Sequence, residues 1–62
     1  MTKQQAHQQA QRAANSRKET IIVFRDDDFG TWDFASESHW YFLLDTAQVE
    51  QNWLEAVVTP TK

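Results

Sequence analysis

Sixty-two residues make one small domain, and so short a chain buries a smaller share of its surface than a typical domain, which excludes a second folding unit and leaves stability marginal. With no cysteine, neither disulfides nor thiolate metal sites can supplement the core, a composition that fits a reducing compartment. The formal charge of −3 conceals a split: residues 1–18 hold Lys3, Arg12, Arg17 and Lys18 without an acid (+4), and residues 19–62 hold nine acids against Arg25 and Lys62 (−7).

No apolar run nears the roughly twenty residues that a membrane span needs, and the N-terminus lacks the hydrophobic segment of a signal peptide. The expectation is a cytoplasmic protein with no membrane partner.

Residues 1–18 are Gln- and Ala-rich, and the alanines at 6, 10, 13 and 14 fall on one side of a 3.6-residue helix. Alanine buries little area and an isolated helix of this length is marginal in water. The segment is therefore expected as a frayed helix or a disordered basic arm, with helix favoured by the propensities of Ala, Gln, Arg and Lys.

The β-branched and aromatic run TIIVFR, residues 20–25, reads as a strand ended by turn residues. Asp28, Phe29 and Gly30 fit a three-residue hairpin loop, with Gly30 left-handed and Asp27 opposite Thr31. Counting back sets Arg25 opposite Asp33 and Phe24 opposite Phe34, a charge pair followed by an aromatic pair. That register places Ile22, Phe24, Trp32 and Phe34 on one face of the sheet and Ile21, Val23, Arg25, Asp33 and Ala35 on the other.

HWYFLL, residues 39–44, is an unbroken apolar run of strand length, read as a third strand covered on both sides. Asp45 then carries a helix-start signature: an N-cap residue, Gln48 three positions on, and Leu44 before it to staple against Val49. Val49, Trp53, Ala56 and Val57 form one stripe through the segment, and Thr59-Pro60 ends it. The fold class is α+β: a three-stranded antiparallel sheet packed by a C-terminal helix, an acidic β-β-β-α domain over residues 19–58 with a tail at 59–62. The order helix, three strands, helix resembles double-stranded RNA-binding domains. Three strands followed by a helix resembles the DNA-binding domains of certain plant transcription factors and of integrase arms. Those families carry basic residues on the second helix or the sheet, where this chain has Asp33, Asp45, Glu50 and Glu55, so the resemblance implies no site residue.

Three adjacent aspartates invite a calcium loop, which needs alternating oxygen ligands, glycine at the sixth position and glutamate at the twelfth. Counting from Asp26, the glycine comes one position early, at Gly30, and only Glu37 fits. The segment reads as a solvated acidic turn. Carboxylates on an open turn are screened by water, and Ser38 and His39, as neighbours on a strand, point to opposite faces, so no acid–base pair or nucleophile is assembled. No enzymatic activity, cofactor or metal is expected. The expected function is a non-catalytic protein-interaction or regulatory module that binds a basic protein partner through Asp26, Asp27, Asp28, Glu37, Trp40 and Tyr41. The alternative is weak nucleic-acid binding through Arg12, Arg17 and Lys18, with self-association in a homodimer compatible with either. An acidic body without an active site suits a phage or plasmid regulator.

Overall fold

A computed structural model describes residues 1–61; Lys62, the last residue of the expected tail, lies outside the described residues. The chain runs α1 (Lys3–Arg17), β1 (Ile21–Asp26), β2 (Thr31–Ser36), α2 (Glu37–Asp45), a 3₁₀ turn (Gln51–Trp53) and β3 (Leu54–Val58). The α+β class with a three-stranded antiparallel sheet is present, and β1 is its central strand in the order β2-β1-β3.

The basic segment is an ordered helix. Thr2 caps it, accepting from the Gln5 amide at 3.2 Å while the Gln5 side chain accepts from the Thr2 amide at 3.0 Å, so two orphan donors are satisfied reciprocally. Lys18, left-handed at φ 55°, closes the other end. What the expectation of a frayed arm undervalued is the shape of the alanine stripe. Ala6, Ala10 and Ala14 are fully buried against Ile21 and Val23, with Trp32, Phe34, Ala56 and Val58 around them. Small residues let the helix lie close to the sheet, and the large rings of β2 fill the space that alanine leaves.

Those rings reach α1 because the hairpin register differs by one from the expected one. Asp26 pairs with Thr31, Arg25 with Trp32, Phe24 with Asp33 and Val23 with Phe34. The cause is the Asp26 side chain, whose Oδ1 accepts from the amides of Asp28 at 3.0 Å and Phe29 at 3.3 Å. This Asx turn draws Asp27 into the loop, which has four residues rather than three. Gly30 keeps its expected left-handed role at φ 66°. Trp32 and Phe34 consequently share the face of Ile21 and Val23, and Arg25 pairs with Asp27 at 3.4 Å rather than with Asp33.

The third strand and the second helix exchange places relative to expectation. The run at 39–44 lies within α2, capped by Ser36, whose hydroxyl accepts from the His39 amide at 3.2 Å. Its inward side chains, Trp40, Leu43 and Leu44, follow helical spacing and pack on Ile22 and Phe24. The Trp40 and Phe24 rings lie 5.0 Å apart, centroid to centroid. Asp45 ends this helix instead of starting one. The amides of Ala47 and Gln48 turn back to the carbonyls of Leu44 and Leu43, with Ala47 left-handed at φ 57°, a Schellman closure built on alanine. Val49 and Trp53 then join Ile22 and Phe24, and Leu54–Val58 pairs with β1 as a strand. The result is three layers: α1, the sheet, and α2 with the 3₁₀ turn. The order α-β-β-α-β also departs from the families whose element order the sequence resembles.

A bulge marks β3. Ala56 faces Val23 and Leu54 faces Phe24, so Glu55 is the extra residue. It meets α1, where its carboxylate accepts from Lys3 Nζ at 2.7 Å, and Lys3 also lies 5.5 Å from the centroid of the Trp32 ring. The tail is held to the same helix: Gln11 Nε2 donates to the Thr59 carbonyl at 3.0 Å, and the Thr61 amide donates to Asn15 Oδ1 at 2.8 Å.

Candidate functional site

The linear split of charge becomes a split between layers. Lys3, His7, Arg12, Arg17 and Lys18 belong to α1 or its cap, and α1 holds no acid. On the opposite layer, α2 and the segment through Trp53 carry Glu37, Asp45 and Glu50 with neither lysine nor arginine. Asp33 adds to this side, since it faces Phe24 across the ladder. The sheet lies between the cations of α1 and the acids of the α2 layer, while Glu19 and Glu55 meet α1 on its own side.

Among the cations, Lys3 is engaged by Glu55, and Arg17 lies 3.7 Å from Glu19. The Lys3 hydrogen bond, reinforced by the charges of Lys3 and His7, holds the Glu55 carboxyl below the usual carboxylate range. Arg12 and Lys18 make no ion pair among the described residues. Of the three residues expected to touch phosphate, Arg17 is thus partly neutralised, and the set is spread over the second half of α1 and its C-cap.

The six residues expected to meet a protein partner fall into two groups and a core residue. Asp26, Asp27 and Asp28 lie at the hairpin end, where Asp26 organises the turn and Asp27 pairs with Arg25, leaving Asp28 and the 80% exposed Phe29 projecting. Glu37 and Tyr41 lie on α2. Trp40 is 1% exposed and belongs to the core, so its indole cannot touch a partner without unfolding the layer.

Sequence reading missed Phe42 and Asp45 because it placed 39–44 in a strand. On a helix, Glu37, Tyr41 and Asp45 recur at intervals of four and form one line, with Ser38 and Phe42 on the adjoining line. Tyr41 is 58% exposed and Phe42 55%, and His39 stacks on Phe42 with 6.0 Å between ring centroids. Neither Glu37 nor Asp45 has an ion-pair partner among the described residues. Two aromatic rings bordered by unpaired carboxylates on a convex helix match a guanidinium group, which stacks on a ring face and binds carboxylates through its planar fork.

The described residues enclose no pocket and bring no three histidine or acidic side chains together around a point. No helix among them is long and apolar enough to cross a membrane. Compared with protein-family models, curated proteins and solved structures, the chain matches none significantly.

Proposed function

We propose that this protein is an interaction module that binds an arginine-rich segment of a partner protein through the outer side of α2. The observation that carries this reading is the line Glu37, Tyr41, Asp45 beside the exposed Phe42. Two of its features work against the stability of the isolated chain. Large rings more than half exposed forgo burial. Asp45 puts a negative charge at the C-terminal end of a helix, where the macrodipole disfavours it by about 0.3–1 kcal/mol. Locally unfavourable choices of this kind concentrate at functional sites. Both become favourable once a cationic segment covers the helix. The acidic hairpin turn lies at the sheet's end and contributes through long-range attraction more than contact.

The test is titration of the isotope-labelled full chain with a helical peptide bearing arginines four residues apart, followed residue by residue by NMR. The largest shifts are expected over Glu37–Asp45. Because each exposed charge pair and each cation–π contact is worth up to about 1 kcal/mol, the double variant Glu37→Gln, Asp45→Asn should weaken binding about tenfold. Shifts confined to Asp26–Phe29 or to α1, or an affinity unchanged in the double variant, would remove α2 from the interface. A salt-sensitive response of Arg12 and Lys18 to a nucleic-acid duplex, with none to the peptide, would favour the phosphate-binding alternative.

A further inference from the structure

The two edges of the sheet are treated differently by the chain. On the outer edge of β2, the Trp32 amide donates to the Met1 carbonyl at 3.3 Å and the Phe34 amide donates to Asp33 Oδ1 at 2.8 Å. Ser36, the next residue facing that way, is the N-cap of α2. Met1, the Asp33 carboxylate turned over the outward Phe34 amide and a helix start therefore block this edge against strand addition.

These bonds also fix which groups face outward on the other edge. Because Trp32 and Phe34 direct their amides away from β1, their partners Arg25 and Val23 do not bond to β2. Along β1 the direction alternates, so Ile21 and Val23 bond to β3 through Val58 and Ala56, and Ile22 bonds to β2. Val57, opposite Ile22, must then point its N–H and C=O away from the sheet. Its side chain lies on the α2 side and is 55% exposed although Ile22 opposite it is buried. The tail does not cover the gap, because Gln11 and Asn15 draw Thr59 and Thr61 towards α1.

We propose that the open edge of β3 is a homodimer interface, in which a second copy adds its own β3 antiparallel across a two-fold axis through Val57. The segment is matched to itself. The bulge at Glu55 bounds the open stretch on one side and Thr59, whose carbonyl is held by Gln11 of α1, bounds it on the other, with Val57 midway. Pairing Val57 with its own copy exchanges the two outward N–H and C=O groups and covers valine with valine. It sets Glu55 against Thr59 of the second copy, so the two carboxylates stay apart. Registers with the axis nearer the bulge bring Glu55 against Val57 or against itself. The axis runs perpendicular to the sheet and leaves both α2 helices on one face of a six-stranded sheet.

Sedimentation of the full chain over a hundredfold concentration range tests this directly. The mass should rise from one chain towards two, and hydrogen exchange at the Val57 amide should slow in parallel. Val57→Pro removes an N–H that the single chain does not use. Val57→Lys sets two ammonium groups face to face and should weaken the dimer about tenfold or more. Both variants should keep the circular dichroism of the parent and shift the rise in mass to at least tenfold higher concentration; if the proline variant loses its fold, the lysine variant decides. A constant single-chain mass up to millimolar concentration would overturn the proposal, as would a dimer undiminished by Val57→Lys or a Val57 amide whose exchange ignores concentration.

Discussion

Ala47 holds a left-handed conformation, φ 57°, at the point where α2 closes and the chain reverses. An L-residue with a Cβ is disfavoured there by roughly 1–2 kcal/mol, part of which glycine gives back through its larger unfolded-state entropy. Ala47→Gly is therefore expected to raise stability by about 0.5–1 kcal/mol, seen as a higher urea midpoint with an unchanged slope. A lowered midpoint would contradict the Schellman closure. Gly30 was legible in the sequence because a lone glycine after aspartates leaves few other places for a left-handed residue. The turn length was not. Whether Asp26 faces the solvent or captures two amides depends on a side-chain rotamer, which no spacing of residue types encodes. That one choice moved Trp32 and Phe34 to the opposite face of the sheet.

At the scale of elements, β1 and the helical bias of the first segment were legible, and α2 and β3 were not. A short apolar run fits a covered strand and a buried helix equally by periodicity. The discriminating signals lay in composition: HWYFLL has no β-branched residue and follows Ser36, whereas AVVT is β-branched where a helix was expected. The capping-box spacing from Asp45 to Gln48 misled because Thr46 and the left-handed Ala47 close the preceding helix there instead. The alanine stripe of α1 sets a sharp expectation. Ala10 has no room for a larger side chain, so Ala10→Leu should cost about 1–3 kcal/mol by overpacking. Gln9→Leu, on the exposed side of the same helix, should stay within about 0.5 kcal/mol of the parent. Equal effects of the two substitutions in a denaturation series would mean that α1 does not rest on the sheet.

For the whole molecule, the charge asymmetry was fully visible in the sequence, and its division between two layers became visible only in three dimensions. An ordered basic helix on one face and an acidic, ring-bearing helix on the other make the thin sheet a divider between two surfaces of opposite character. Of the nominated contacts, Glu37 and Tyr41 lie on α2 and Trp40 lies in the core, and Phe42 and Asp45 share α2 with them, a helix that a strand assignment had hidden. Both the proposed docking face on α2 and the proposed dimer edge at Val57 presuppose that the helices occupy opposite sides of the sheet. A NOESY spectrum of the labelled chain measures this most directly. The Ala6, Ala10 and Ala14 methyls should show cross-peaks to Ile21 and Val23, and the Trp40 indole should show them to Phe24 and Ile22. Alanine methyls with no partner in the sheet, or a Trp40 ring on the Ile21 and Val23 side, would contradict the arrangement.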